Sequence, residues 1–77
     1  MANTIFDLLR PMIEDWNTHN SNKVALVLDD DLLTISPVNT ERPYLPGVVV
    51  TNVALLSEVY GFCFTLHARN NAPYITI

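Results

Sequence analysis

The chain has 77 residues, of which 49% are hydrophobic and 16% are charged, and its formal net charge at pH 7 is −4. The hydrophobic fraction excludes a disordered chain, and four Lys or Arg residues scattered among eight acids exclude the clustered positive charge that nucleic-acid binding requires. A chain of this length is expected to fold as a single domain over residues 1–77.

The compartment predicted from the sequence is the cytoplasm. Asp7 and Arg10 interrupt the first apolar stretch, so it does not resemble a secretory signal. No run approaches the roughly 18 apolar residues of a membrane span, so we expect no contact with membranes. Cys63 is the only cysteine, which leaves no partner for an intrachain disulfide and fits a reducing environment.

The first element is a predicted helix. Apolar residues recur at three- and four-residue spacing from Ile5 to Trp16, which places them on one helix face. Pro11 lies inside this pattern and removes a backbone donor. Because the apolar register continues through the proline, the pattern favours one kinked helix over roughly 4–18. The alternative is a short turn before a helix that begins at Pro11.

A β-hairpin is predicted next. Val24–Leu28 and Leu32–Ile35 are short apolar runs rich in strand-forming residues, and three aspartates separate them. Residues 36–47 then contain three prolines, which exclude a helix and predict a long irregular loop. Long loops in small domains are often functional.

The remaining chain, Pro43–Ile77, carries only two formal charges, Glu58 and Arg69. Residues 48–51 are predicted to form a strand, and residues 53–60 a short helix, with a continuing strand as the alternative. Phe62–His67 and Pro73–Ile77 flank two asparagines, which predicts a terminal hairpin. The fold class is therefore α+β: an N-terminal helix packed on a four- to five-stranded, mainly antiparallel sheet.

Two groups of residues are candidates for chemistry. Cys63 and His67 are four residues apart, but apolar neighbours do not favour a thiolate, and two ligands are too few for structural zinc. A calcium loop that began at Asp29 would need glycine where Thr34 stands and glutamate where Thr40 stands. The sequence therefore predicts no enzyme, no catalytic residue, no metal and no cofactor.

The candidate binding residues lie in three segments. The proline-rich loop offers an exposed anchor, since Tyr and Arg are frequent at interface hot spots. The C-terminal strand is expected at or near a sheet edge, where an uncharged strand is open to pairing with another chain. The aspartate turn can steer a basic partner. The predicted protein-binding residues are Arg42, Tyr44, Leu45, Tyr74, Ile75, Asp29, Asp30 and Asp31.

The predicted function is that of a small acidic protein-binding module without enzymatic activity. It would occupy the surface of a partner protein, as adaptors and inhibitors encoded by phages or mobile elements do. The alternative is a decoration or scaffold subunit that assembles with copies of itself through its low-charge C-terminal half. A minor alternative is an enzyme or metal protein that uses Cys63 and His67.

Overall fold

The computed structural model describes residues 2–77, which form two helices and a four-stranded sheet. The elements in chain order are α1 (Ala2–His19), β1 (Val24–Asp29), β2 (Leu32–Pro37), α2 (Gly47–Tyr60), β3 (Thr65–Arg69) and β4 (Ala72–Thr76). The sheet is antiparallel with the strand order β1-β2-β4-β3. The predicted α+β class, the N-terminal helix, the antiparallel sheet and the second helix are confirmed.

Helix α1 continues through Pro11, as the unbroken apolar register predicts. The helix is longer than the predicted 4–18, and the alternative of a helix that begins at Pro11 is wrong. Leu9 and Ile13, one turn apart, are buried in the core, whereas the proline is exposed. Pro11 therefore lacks one helical hydrogen bond without removing an apolar contact from the core.

The side-chain amide of Asn17 joins α1 to the start of β1. Its Nδ2 donates to the Val24 carbonyl oxygen at 2.8 Å, and the Val24 backbone N–H donates to its Oδ1 at 2.9 Å. This pair of bonds satisfies the backbone of Val24 as a neighbouring strand would. Trp16 Nε1 donates to the Asn22 carbonyl oxygen at 2.6 Å and fixes the same connection.

Both predicted hairpins are present, and each has a two-residue loop. Asp30 has a φ of 54°, and Asn70 and Asn71 have φ values of 54° and 62°. Aspartate and asparagine are the side chains that tolerate this left-handed region best after glycine. Local turn chemistry therefore sets both hairpins, and positive φ at both loop residues of the second one matches a type I′ turn.

The predicted strand over residues 48–51 is wrong, because these residues form the first turns of α2. The helix begins after Pro46, whose extended backbone precedes it, and ends at Gly61 in the left-handed conformation. Val49 and Val53 are four residues apart and fully buried, so helical spacing places both in the core. Burial of this valine pair outweighs the strand preference of three consecutive valines.

Two predictions about the terminal hairpin also need correction. The strand predicted over Phe62–His67 is Thr65–Arg69, and residues 62–64 form a connection in which both phenylalanines pack against the core. The last strand, predicted at or near an edge, lies inside the sheet between β2 and β3. The Ile77 N–H extends this pairing by donating to the Leu33 carbonyl oxygen at 2.9 Å. The outer strands are β1 and β3.

The core lies between the helices and one face of the sheet. Side chains of β1, β2 and β4 that share this face by strand register are buried with residues of both helices and of the loop. They are Leu9, Ile13, Val24, Leu33, Ile35, Leu45, Val49, Val53 and Ile75. Within residues 2–77, neither helix has the length and apolar content needed to cross a membrane.

The two glycines of the chain are expected to respond to alanine with opposite signs. Gly61 has a φ of 75°, and an added Cβ would meet no atom within 4 Å, so Gly61→Ala costs backbone strain alone, about 1 kcal/mol of unfolding free energy. Gly47 is equally open but is the first residue of α2, where alanine fits the backbone. Gly47→Ala should therefore raise the free energy of unfolding by roughly 0.4–1 kcal/mol, because it restricts the unfolded chain. Urea unfolding followed by circular dichroism measures both, and shifts of the same sign would contradict the expectation.

Candidate protein-interaction surface

The end of the molecule that carries the β1–β2 turn is acidic. The N-terminus of α1, the C-terminus of α2, the start of β3 and the end of β4 meet there, as the residues lining a shared depression show. Five carboxylates belong to this acidic end: those of Asp7, Asp29, Asp30, Asp31 and Glu58, all exposed. The acidic end therefore has more negative charge than the whole chain, whose net charge is −4.

The opposite end, called the loop end, carries most of the positive charge. The start of β1, the end of β2, the β3–β4 turn and the irregular residues 38–46 lie there. Lys23, Arg42 and Arg69 are at this end, and the Lys23 carbonyl oxygen accepts a hydrogen bond from the Val38 N–H at 3.1 Å. Arg10 lies halfway along α1, and its Nε is 3.9 Å from Oε1 of Glu14, so its charge is paired away from the acidic end. No Lys or Arg of residues 2–77 is thus left at the acidic end.

An apolar groove opens at the acidic end between the two helices and the sheet, and is called here the end groove. It consists of two adjoining depressions of about 390 and 410 Å³ that share Ile5, Gly61 and Phe62. Among the described residues, the first is completed by Asp31, Leu33, Cys63 and Ile77, and the second by Thr4, Leu8 and Tyr60. Each volume lies within the range of about 300–1,000 Å³ typical of ligand sites.

Helix α2 presents a second apolar surface, called the α2 stripe, on the side away from the core. Val48, Leu55 and Val59 lie along this side, and Val59 is 73% exposed. Tyr60, which is 61% exposed, lies on the core-facing side of the helix, seven residues after Val53, and projects beyond the core into the end groove. Nine of the 14 residues of α2 are apolar and only Glu58 is charged. A helix that is apolar on most of its circumference is ordinarily covered on both sides.

The face of the sheet away from the helices carries small and polar side chains. By register, its central rows contain Ala25, Val27, Thr34, Ser36, Thr65, His67, Tyr74 and Thr76. The rings of His67 and Tyr74 stack with centroids 4.7 Å apart and planes at 12°. A 2.7 Å hydrogen bond joins His67 Nε2 to Thr76 Oγ1, and it fixes the imidazole on the sheet.

The structure separates the predicted binding residues rather than bringing them together. The three aspartates lie at the acidic end, whereas Arg42 and Tyr44 are exposed at the loop end. Tyr74 belongs to the outer sheet face. Leu45 and Ile75 are core residues, exposed by 8% and 0%, so their side chains cannot reach a partner while the fold is intact.

Cys63 and His67 occupy different surroundings. Cys63 is exposed and lines the end groove, whereas the imidazole of His67 stacks on Tyr74 on the outer sheet face. Among the hydrogen bonds and ion pairs of residues 2–77, none joins Cys63 to a base or His67 to a carboxylate. Across residues 2–77, three or more His, Cys, Asp or Glu side chains are nowhere grouped as a metal site requires.

The residues that sequence reasoning missed are those of the α2 stripe and the apolar lining of the end groove. The prediction of a strand over residues 48–51 conceals the stripe, because it separates Val48 from Leu55 and Val59. A signal was available: between Pro46 and Gly61, nine of the 14 residues are apolar, and they do not follow the alternation of a half-buried strand. A helix read over that whole segment has too many apolar residues for a single buried face.

Comparison of the chain with protein-family models, with curated proteins and with solved structures gives no match. The function is therefore inferred from the surfaces of the molecule.

Proposed function

We propose that the protein is a non-enzymatic module that binds a partner protein through the α2 stripe and the adjoining end groove. The observation that carries this proposal is the exposure of Val48, Leu55 and Val59 on a helix whose other side is already in the core. Scattered apolar residues are normal on a protein surface, but several on one side of a helix beside an apolar groove are typical of an interface.

The charge distribution supports a different protein as the partner rather than a second copy. Docking two copies through their end grooves would bring the two aspartate turns together, since Asp31 lines the groove. Like charges facing each other across an interface oppose association, whereas a partner with positive charge would be attracted. The acidic end thus favours a heterologous partner.

Site-specific photo-crosslinking tests the proposal. A photoreactive amino acid is placed at Val59 in the stripe, or at Tyr44 at the loop end, in cells that produce the protein. Both positions are more than half exposed, so the fold should tolerate the replacement. We expect a discrete adduct with another protein from position 59 and none from position 44. Adducts from position 44 alone would assign binding to the proline-rich loop, and no adduct from either would refute the proposal.

Charge placed in the α2 stripe should weaken binding selectively. Val59→Asp places a carboxylate at the centre of the proposed contact. We expect it to cost more than about 1.4 kcal/mol of binding free energy, which lowers the affinity for the crosslinked partner by about tenfold or more. Val38→Asp is the matched control, because Val38 is also exposed but lies at the loop end. Titration calorimetry with the purified partner measures both variants. Equal losses in the two variants would show that the effect is not specific to the stripe.

A second candidate function, self-assembly, draws support from the outer sheet face. The central rows of this face hold no charged side chain, and β1 and β3 leave both sheet edges without a strand partner among residues 2–77. Light scattering over a wide concentration range separates the two functions. A closed oligomer of fixed mass would favour self-assembly, whereas a monomer at all concentrations agrees with heterologous binding.

A further inference from the structure

The end groove differs from the α2 stripe because it combines an apolar interior with an acidic rim. Its lining includes Ile5, Leu8, Leu33 and Phe62, and the one acidic side chain that residues 2–77 contribute to it is that of Asp31. An apolar depression of this size accepts one or two large side chains from a bound segment. The interior therefore selects an apolar anchor.

The charge around the groove comes from side chains rather than from the helix ends. The N-terminus of α1 and the C-terminus of α2 both lie at the groove, so their partial charges are opposite in sign and offset each other. What remains is the field of the aspartate turn, whose Asp31 lines the groove, without a Lys or Arg of the described chain beside it. The rim therefore selects positive charge close to the apolar anchor.

We propose that the end groove binds a short segment of the partner in which a large apolar side chain stands next to Lys or Arg. This inference rests on the proposed function and specifies the chemistry of the partner. The apolar side chain enters between Ile5 and Phe62, and the basic side chain reaches the carboxylates of the Asp29–Asp31 turn. Apolar burial holds the segment, and the carboxylates speed its approach and set its orientation.

Selection from a library of short random peptides tests the inference on the intact protein. We expect enriched peptides to share a Trp, Phe or Leu within two residues of Lys or Arg. Their affinity should fall by about tenfold or more between roughly 0.05 and 0.5 M salt, because screening weakens exposed charge pairs. No enrichment, or enrichment of neutral or acidic peptides, would overturn the inference.

The unique cysteine reports whether such a peptide occupies the groove. Cys63 is exposed and lines the groove, and it is the only thiol of the chain. A bound peptide that covers the groove should lower the rate of Cys63 alkylation by iodoacetamide severalfold at saturating peptide. An unchanged alkylation rate at saturating peptide would place the peptide elsewhere and reject the groove.

Two variants separate the contributions of charge and shape. The triple change of Asp29, Asp30 and Asp31 to Asn preserves the turn, since asparagine also tolerates the positive φ of Asp30, and should weaken peptide binding by about tenfold. Tyr60→Ala removes an exposed wall of the groove and should have a similar effect. The control is the double change of Glu14 and Asp15 to Gln and Asn, which removes charge from α1 away from the groove. Loss of binding in the control but not in the triple variant would contradict the inference.

The two proposals can fail independently. If position 59 crosslinks to a partner but no basic apolar peptide protects Cys63, the binding function stands and the groove inference fails. If peptides protect Cys63 but position 59 gives no adduct, the groove is the binding site and the α2 stripe is not.

Discussion

Replacing Ile75 with alanine is expected to lower the free energy of unfolding by about 2–5 kcal/mol. Ile75 is fully buried in β4, inside the sheet, and belongs to the cluster that both helices cover. The loss combines the transfer free energy of the deleted methyl and methylene groups with the cavity they leave. A chain of 77 residues has a total stability of only about 4–12 kcal/mol, so this one change removes a large part of it.

Leu66 provides the matched control for Ile75. The two residues are direct cross-strand partners and point to the same face of the sheet, but Leu66 on the outer strand β3 is 54% exposed. Leu66→Ala opens no closed cavity and should cost about 1 kcal/mol or less. Urea unfolding at constant m-value measures both variants, and Ile75→Val should fall between them at about 0.5–1.5 kcal/mol. Similar losses at positions 66 and 75 would show that the helices do not cover β4 as described.

Replacing Pro11 with alanine is expected to raise the free energy of unfolding by about 2 kcal/mol. The proline lies inside α1, where it cannot donate to the Asp7 carbonyl oxygen, and interior prolines cost about 3 kcal/mol relative to alanine. Part of the gain is offset, because removing the proline raises the conformational entropy of the unfolded chain and so stabilises the unfolded state by roughly 0.4–1 kcal/mol. Pro11 is exposed, so no core contact is lost.

Thermal and urea unfolding with circular dichroism test the Pro11 expectation. Glu14→Ala serves as the control, since it also changes an exposed position of α1 and removes only the 3.9 Å pair with Arg10. Such a pair contributes about 0.3–0.5 kcal/mol, so the free energy of unfolding of the Glu14→Ala variant should differ little from that of the unchanged protein. A loss of stability in Pro11→Ala would mean that the proline sets the helix axis needed to bury Leu9 and Ile13.

The α2 segment shows where local preference and tertiary burial disagree. Three consecutive valines predict a strand, yet Val49 and Val53 are buried together on a helix that begins at Gly47. The intrinsic preference is worth fractions of a kcal/mol per residue, whereas burying a valine contributes about 1.5–3 kcal/mol. Contacts with distant residues therefore decide the conformation, and a short segment does not contain that information.

The candidate interaction surface was only partly accessible from the sequence. The aspartate turn and its excess of negative charge could be found, because a run of acids between two strands is a local feature. The groove beside it could not, since it forms where Ile5, Phe62 and Ile77, far apart along the chain, come together. Leu45 and Ile75 were assigned to the surface for the same reason: their burial depends on strand order and loop path.

Features whose physical causes lie within a few residues could be predicted from the sequence alone. These are the register of α1 through Pro11, the two hairpins with Asp30 and Asn70–Asn71 in their turns, and the low charge of the C-terminal half. Long-range contacts, by contrast, place Gly47–Tyr60 in a helix and β4 inside the sheet, and they open the apolar groove beside Asp31. Each of these depends on burial against distant residues, whose free energy exceeds the local preferences.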